Sequence, residues 1–332
     1  MKILITGVAG FIGFHLAKKL LDENEEVVGV DNLNSYYDVN LKLSRLKQLE
    51  SYKNFKFFRF DLKETKDVFS IFEKEKIDYI LHMAAQAGVR YSLENPYQYI
   101  DSNITATVNL FEAVRKYSIR HFVLASTSSV YGANKLIPFS VHHNVDHPIS
   151  LYAATKKSAE VISHYYSAVF KIPTTIVRFF TVYGPWGRPD MAIFIFTKNI
   201  LENKPIDVYN YGKMKRDFTY IDDVVEAVVR IMNKIPQPNI SWSGTEQDPS
   251  LSFAPYKIYN VGNNKPIELL EVIEIIEKYL GKKAKKNLLP IQLGDVVETY
   301  ADIEDLIRDI GFKPSTSIEV GIKNFIEWYK EY

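Results

Sequence analysis

A tyrosine and a lysine four residues apart carry the clearest chemistry in this chain of 332 residues. In the segment YAATK, Tyr152 and Lys156 have the spacing that places two side chains on the same side of a helix. An ammonium beside a phenol favours the phenolate and lowers its pKa, so the pair predicts a general base. The spacing also occurs in helices by chance. It gains weight from the segment STSSVYG at 126–132, whose hydroxyls end a predicted strand and could share a proton with the tyrosine.

A glycine-rich turn near the N-terminus predicts a nucleotide site. Gly7, Gly10 and Gly13 follow a predicted strand and open a predicted helix, where backbone N–H groups can approach a pyrophosphate. Asp31 ends the next strand, and an acid there suits the ribose hydroxyls of NAD better than the phosphate of NADP. Asp61 ends the third strand, where adenine usually lies. Both acids could instead be ordinary turn formers, but the whole set predicts NAD as the cofactor.

The elements that must position these residues alternate along the first half of the chain. Continuous apolar runs predict strands buried on both faces. Helical spacing appears in four of the segments between them, at 11–24, 63–76, 96–118 and 151–171. The predicted strands are 2–6, 26–31, 55–61, 78–84, 121–127 and 174–180. This alternation predicts an α/β fold, a Rossmann-type doubly wound parallel sheet, with a smaller mixed α/β lobe that binds substrate. We divide the chain into 1–180 and 181–332, with some later segments free to return to the first domain.

The composition excludes several classes of function. The 41 basic and 40 acidic residues nearly cancel, so nothing in the charge predicts binding to nucleic acid or to a membrane surface. The chain has no cysteine. No apolar run approaches the ~18 residues that a membrane span needs, and we expect a cytoplasmic protein. His142, His143 and His147 form a local cluster that we interpret as a solvated loop rather than a metal site, and 236–255 as a surface loop.

The motifs occur in an order that resembles the extended short-chain dehydrogenases/reductases acting on nucleotide sugars, over nearly the whole chain. Their detail is most similar to the UDP-glucuronate 4-epimerases. The segments that carry the resemblance are TGVAGFIG, DNLNSYYD, HMAAQAGVRYS, STSSVYG, YAATK, FFTVYGPWGRPDM, RDFTYIDD and GDVVETYAD.

The resemblance implies a role for each matching residue. Tyr152 would be the acid/base, Lys156 its partner, and Thr127 the hydroxyl beside them. Arg216 and Asp295 would hold the UDP group of a UDP-sugar; Arg90 would reach a phosphate or form a surface ion pair. The helices at 96–117 and 151–171 would form a four-helix homodimer interface. The residues implied to line NAD are Gly7, Gly10, Phe11, Ile12, Gly13, Asp31, Asn32, Asp61, Leu62, Ala84, Ala85, Asn103, Tyr152 and Lys156.

The two residues after Thr127 favour one reaction over its relatives. Similar dehydratases carry an Asp-Glu pair at this point, and decarboxylases a Glu in the same segment. Ser128 and Ser129 cannot act as that acid or base at neutral pH. What remains is 4-epimerisation. The sugar is oxidised to a 4-keto intermediate, rotates within the site and is reduced on its opposite face.

The loop after the strand at 174–180 indicates which sugar is used. Thr181 and Arg188, with Ser128 and Ser129, suit a C6 carboxylate better than a hydroxymethyl group, which predicts UDP-glucuronate as the substrate. Arg188 could instead pair with Asp190 to order the loop. The runner-up is therefore a UDP-glucose or UDP-N-acetylhexosamine 4-epimerase. A non-catalytic NAD-binding protein is a third alternative, which the intact Thr127, Tyr152 and Lys156 disfavour.

Overall fold

A computed structural model describes residues 1–245, 248–292 and 295–332. Residues 246–247, inside the predicted surface loop 236–255, lie outside the described residues, as does Gly294 of the motif GDVVETYAD. The strands are β1 (Lys2–Thr6), β2 (Glu26–Asp31), β3 (Phe55–Arg59), β4 (Tyr79–His82), β5 (His121–Thr127), β6 (Thr174–Phe179), β7 (Thr181–Tyr183), β8 (Ile206–Val208), β9 (Lys215–Tyr220), β10 (Tyr256–Val261), β11 (Pro266–Glu268), β12 (Lys286–Leu288) and β13 (Glu298–Thr299).

Helices fill most of the connections between these strands. They are α1 (Phe11–Asp22), α2 (Val39–Leu49), α3 (Thr65–Lys74), α4 (Tyr91–Glu94), α5 (Pro96–Tyr99), α6 (Ala106–Tyr117), α7 (Leu151–Phe170), α8 (Ala192–Leu201), α9 (Ile221–Asn233), α10 (Leu269–Leu280), α11 (Glu304–Ile310) and α12 (Ile318–Glu331). A π-helical turn (Ile100–Thr105) joins α5 to α6, and 3₁₀ turns occupy Ser128–Tyr131 and Tyr209–Gly212.

The large sheet confirms the predicted fold class. Its seven strands run in the order β10-β6-β5-β4-β1-β2-β3, and every neighbouring pair is parallel. The six predicted strands all belong to it. The seventh, β10, comes from residues beyond 180 and returns to pair with β6. The division at 180/181 stays a prediction, with 256–261 as a segment that rejoins the large sheet.

The apolar strands are buried because helices cover both faces of the sheet. In β1, Ile3 and Ile5 pack into one core and Leu4 into the other, as the two-residue period of a strand requires. One core contains buried residues of α1, α2 and α9, and the other those of α3, α6 and α7. This three-layer arrangement brings the carboxyl ends of the parallel strands to one edge, where ligands of such folds bind.

The smaller lobe begins without a linker. β7 follows β6 after a single residue and pairs in parallel with β9, which also pairs with β11 and β13. β8 and β12 form a separate pair. Thr181, the first residue of β7, thus stands where the chain passes from the large sheet into the small one.

Candidate active site

A cavity of about 960 Å³ opens at the carboxyl edge of the large sheet, between it and the smaller lobe. It brings together nearly all the residues that the sequence singled out. Those that line it are Gly7, Gly10, Phe11, Ile12, Gly13, Asp31, Asn32, Asp61, Leu62, Ala84, Ala85, Thr127, Ser128, Ser129, Tyr152, Lys156, Thr181, Arg188, Arg216 and Asp295.

Asn103 is the exception. The resemblance placed it on the NAD-facing wall, but it is only 1% exposed and does not line the cavity. Its side-chain amide donates to the Gln86 carbonyl (3.0 Å) and to Thr155 Oγ1 (3.0 Å), while its Oδ1 accepts from the Gln86 N–H (2.8 Å). In this structure Asn103 therefore supports the wall at Gln86 from behind.

The glycine turn forms a cradle in which side chains would not fit. Gly7 adopts φ +68°, and a Cβ there would lie 2.8 Å from Ala84 Cα. A Cβ on Gly10 would lie 2.9 Å from the Gly7 carbonyl oxygen. Gly10 caps α1, so the free N–H groups of the first helical turn face the space that the glycines leave open. This cradle fits the pyrophosphate of a dinucleotide.

Asp31 links the glycine turn to the end of β2. Its carboxylate accepts from the N–H groups of Ala9 (3.1 Å) and Leu33 (2.8 Å), and burial raises its pKa. The amide of Asn32 donates to Asp61 (2.9 Å), which joins the ends of β2 and β3. The two acids thus do form turns, as the alternative interpretation held, and they also line the cavity where the ribose and adenine of NAD would lie.

The predicted catalytic residues lie on α7 and at the end of β5, and they line the cavity. Ser150 caps α7 by accepting the Ala153 N–H (3.2 Å), which places Tyr152 and Lys156 in the first turns of the helix. Thr127 ends β5, where its hydroxyl oxygen accepts the Ser129 N–H (3.2 Å). The cavity therefore brings together the Thr127 hydroxyl at the end of β5, the serine hydroxyls of the 3₁₀ turn, and Tyr152 and Lys156 at the start of α7.

The pKa of Tyr152 departs from the prediction. Burial raises the pKa of Tyr152, and the opposing effects of the Thr127 hydroxyl and the Arg188 charge are smaller. Burial also lowers the pKa of Lys156 to about 8, against the attraction of Glu160. The expected lowering of the phenol pKa by Lys156 is therefore wrong for the protein alone, because desolvation of the phenolate outweighs the nearby charges.

Arg188 is paired with Asp190, which is the alternative that the sequence left open. Its Nε donates to Asp190 Oδ1 (3.0 Å), and its Nη2 bonds to Oδ2. The Tyr36 hydroxyl, from the loop after β2, donates to the same carboxylate (3.1 Å). Arg188 nevertheless lines the cavity, and its charge acts on Tyr152. Arg188 thus pairs within its own loop and also acts on Tyr152, the predicted base.

The far end of the cavity carries a second group of charges. Arg216 donates to the carbonyls of Lys215 (2.9 Å) and Val297 (3.2 Å), and burial lowers its pKa. Arg90 forms an ion pair with Asp295 (3.5 Å) and lies 4.7 Å from the centre of the Tyr209 ring. An ion pair, one of the two alternatives left open for Arg90, is therefore present. Two guanidinium groups and an aromatic ring border this end, a composition suited to a nucleotide diphosphate.

Comparison with known proteins identifies the family. The model of the NAD dependent epimerase/dehydratase family matches residues 3–244. The sequence is 55% identical over 332 residues to "Protein CapI" of Staphylococcus aureus, covering 100% of this chain and 99% of that protein. It is 47% identical over 332 residues to the "Probable UDP-glucuronate 4-epimerase" of Rhizobium meliloti, covering 100% and 97%. The chain belongs to the NAD dependent epimerase/dehydratase family.

A solved structure agrees with this family assignment. The UDP-glucuronic acid 4-epimerase from Bacillus cereus, in complex with UDP-glucuronic acid and NAD, is 34% identical, with a TM-score of 0.87. The match covers 100% of this chain and 99% of that one. Membership of the NAD dependent epimerase/dehydratase family confirms the predicted cofactor, NAD.

One residue of this family member that the sequence reasoning missed is Arg45 on α2. It is fully buried, and it donates to the carbonyls of Ala9 (2.9 Å) and Trp186 (2.6 Å) and to the Tyr37 hydroxyl (2.8 Å). Arg45 thereby ties the glycine turn to the loop that carries Arg188. The segment VNLKLSRLKQL does have helical spacing with basic residues among the leucines, which is the signal that could have found it.

The histidine cluster does not form a metal site within the described residues. His142 contacts Asp248 (3.0 Å) and Asp305 (3.4 Å), whereas the His143 ring faces the Ser140 N–H (3.3 Å). No group of three or more histidine or acidic residues in 1–245, 248–292 and 295–332 is arranged to hold a metal ion. In the same described ranges, every helix is too short or too polar to cross a membrane.

Proposed function

We propose that this chain is an NAD-containing UDP-glucuronate 4-epimerase. The observation that carries the proposal is the 3₁₀ turn after β5, where Ser128 and Ser129 line the cavity beside Thr127 and Tyr152. The similar dehydratases and decarboxylases carry an acidic residue in this segment, and serine cannot replace it as an acid or base at neutral pH. The named relative of Rhizobium meliloti and the Bacillus cereus structure support the same activity.

The protein's own residues would move the proton of the sugar 4-hydroxyl. Tyr152 would take this proton as the base and return it to the 4-oxygen later, with Thr127 holding that oxygen in place. Since burial raises the pKa of Tyr152, its phenolate would be a strong base. Lys156, whose pKa burial lowers to about 8, is the cation that would stabilise this phenolate at neutral pH. NAD, when bound in the glycine cradle, would accept the C4 hydride and give it back to the opposite face.

The carboxylate of the sugar would be held by Arg188, Thr181 and the two serines. A 4-keto uronate is a β-keto acid that tends to lose CO₂, which requires the carboxylate to give up its hydrogen bonds. Donors that bind the charged carboxylate stabilise it in the ground state and so raise the barrier to that loss. In the structure the Asp190 carboxylate accepts the hydrogen bonds of the Arg188 guanidinium. We infer that the substrate carboxylate replaces Asp190 there.

The UDP group would bind at the far end of the cavity. Arg216, on β9, would face the diphosphate, and Asp295 the uridine ribose. Arg90 would reach the diphosphate if its ion pair with Asp295 opens. A guanidinium can donate two parallel hydrogen bonds to a phosphate, which makes this pair of arginines well suited to the task.

A homodimer is also proposed. Large apolar side chains on α5 and α7 face solvent in the single chain, with Tyr97 83% exposed and Val161 56% exposed. Tyr165 and Val169 continue the same face of α7 at helical spacing. Pairing of these helices with a second copy would bury this surface and give the four-helix interface. Light scattering on the purified protein would detect it as twice the mass of the chain.

The alternative substrate is UDP-glucose, and one observation favours it. The pairing of Arg188 with Asp190 is what a structural arginine would show. The deciding experiment supplies UDP-glucuronate and UDP-glucose separately to the purified protein and follows the sugar signals by NMR. UDP-galacturonate from the first substrate supports the proposal, whereas UDP-galactose from the second alone supports the alternative.

A further inference from the structure

Glu160 lies one helical turn beyond Lys156 on α7, and it is only 1% exposed. Both of its carboxylate oxygens are bonded. Oε1 accepts from Ser126 Oγ (2.6 Å) and from Arg178 Nε (2.9 Å), and Oε2 accepts from Arg178 Nη2 (2.8 Å). A carboxylate buried to this degree is costly unless it is fully paired, and here the pairing is bidentate.

Arg178 extends the network away from α7. Its Nη1 donates to the Tyr131 hydroxyl (3.2 Å), which in turn donates to Asn260 Oδ1 (2.8 Å). The Asn260 amide donates to the carbonyls of Phe139 (2.7 Å) and Asp302 (3.0 Å). Arg178, Tyr131 and Asn260 are at most 2% exposed. The chain of bonds therefore runs from the catalytic helix, through the large sheet, to the backbone of two loops.

Each segment that this network joins carries a side chain of the active site. α7 carries Tyr152 and Lys156 together with Glu160, and β5 ends in Thr127, directly after Ser126. Tyr131 closes the 3₁₀ turn of the two serines. Arg178 on β6 stands three residues before Thr181. Glu160 and Arg178 do not line the cavity themselves, so they can act only through these neighbours.

We propose that Glu160, held by Arg178, is a positioning residue that fixes Tyr152, Lys156 and Thr127 relative to one another. A connection between the two segments is required, because Tyr152 and Lys156 on α7 and Thr127 on β5 must act together at a single sugar oxygen. A misplacement of about 1 Å can reduce a rate by about 100-fold. The proposal rests on the proposed function only for the choice of assay substrate.

The charge of Glu160 has a second consequence at Lys156. Burial lowers the pKa of Lys156, and Glu160 is the group that opposes this lowering. His82, from β4, also faces Lys156, but burial lowers its pKa to about 3 and leaves it neutral. Lys157 and Arg178 are the cations that act on Glu160 itself. Removal of the carboxylate charge should therefore favour the neutral amine of Lys156 at a lower pH.

The test compares the pH dependence of kcat in Glu160→Gln and Glu160→Asp with that of the wild type. Glutamine keeps the shape and removes the charge. Loss of a unit negative charge one helical turn from Lys156 should shift the alkaline limb of the kcat profile to lower pH by about one to two units. Aspartate keeps the charge but is shorter, so kcat should fall about 10- to 100-fold while the limb stays in place. An unmoved limb in Glu160→Gln would make Glu160 merely structural.

Two further variants and a stability measurement keep the result unambiguous. Glu277→Gln is the matched control, because Glu277 is a buried, ion-paired glutamate on α10 that does not line the cavity, and its pH profile should match the wild type. Ser126→Ala removes one bond to Glu160 without any charge, so kcat should fall with little change in KM or in thermal unfolding. Wild-type kcat in Ser126→Ala would overturn the proposal even if Glu160→Gln does not fold. Failure of the wild type on UDP-glucuronate would instead contradict the proposed function, and the same profiles would then be measured with the UDP-sugar that is turned over.

Discussion

Replacement of Arg188 by alanine should weaken the use of a uronate and leave a neutral sugar nearly unaffected. In the structure this guanidinium binds a carboxylate, Asp190, through two nitrogens, and the substrate carboxylate would take that place. A hydrogen bond to a charged group contributes about 1.5–3 kcal/mol. This range corresponds to a loss of about 10- to 150-fold in kcat/KM for UDP-glucuronate.

Asp190 adds a second effect in this variant, a repulsion of the substrate carboxylate, which can be measured separately from the lost hydrogen bonds. In Arg188→Ala the Asp190 carboxylate loses its cation and would face the substrate carboxylate with the same charge. The single variant therefore combines a lost attraction with a new repulsion. The double variant Arg188→Ala, Asp190→Ala removes both charges and should recover part of the loss. The difference between the two variants measures the repulsion by itself.

The assay measures kcat/KM for UDP-glucuronate by initial rates and the Kd for UDP-glucose by calorimetry. UDP-glucose is the matched control ligand, because it differs only in having a hydroxymethyl group in place of the carboxylate. Its Kd should change less than about twofold, since the lost bonds are those to a charged group. Equal losses for both sugars would refute the reasoning and return Arg188 to a purely structural role in its loop.

Three further predictions concern the base, the carboxylate and the smaller lobe. Tyr152→Phe removes the proton acceptor and should lower kcat by about 10²–10⁴-fold with little change in substrate Kd, and near-normal turnover would exclude Tyr152 as the base. Ser128→Ala and Thr181→Ala should slow epimerisation and raise the fraction of UDP-4-keto-pentose seen by NMR, whereas slowing without pentose would contradict the carboxylate explanation. Burial raises the pKa of Asp217 to about 6. The folded state then holds this proton more tightly than the unfolded state. Asp217 should therefore add about 3 kcal/mol to the free energy of unfolding below pH 4, and this contribution is lost as the pH rises through 6. Urea unfolding from pH 4 to 6.5 should show the unfolding free energy of the wild type falling with pH relative to that of Asp217→Asn. An equal pH dependence in the two proteins would contradict this prediction.

Six strands of the large sheet were predictable because apolar residues dominate them, as in KILIT of β1 and YILH of β4. β10 has the sequence YKIYNV, in which Lys257 and Asn260 interrupt the apolar residues. Its place beside β6 depends on a contact between residues about 80 positions apart, which no local pattern reports. The single helix predicted from 96 is broken by the π-helical turn Ile100–Thr105. α2 was missed because Lys42 and Arg45 occupy its buried face, where the pattern calls for apolar residues.

Most residues that line the cavity could be named from the sequence, whereas the interactions among them could not. Glycine and acid spacing pointed to the nucleotide cradle because the constraint is local to one turn. The pKa of Tyr152 was predicted in the wrong direction, since desolvation depends on how deeply the folded chain buries the phenol. The bonds of Arg45 and Glu160 join segments that are far apart in sequence. Such buried polar networks become visible only when the topology is known.

The most direct test of the account is the product that the purified protein forms from UDP-glucuronate without added NAD. The sample is incubated to equilibrium and the sugar signals are assigned by NMR. The account predicts UDP-galacturonate as the product, with the cofactor carried by the protein and regenerated in each turnover. A product that is mainly UDP-4-keto-pentose, or an absence of turnover that added NAD does not restore, would contradict it.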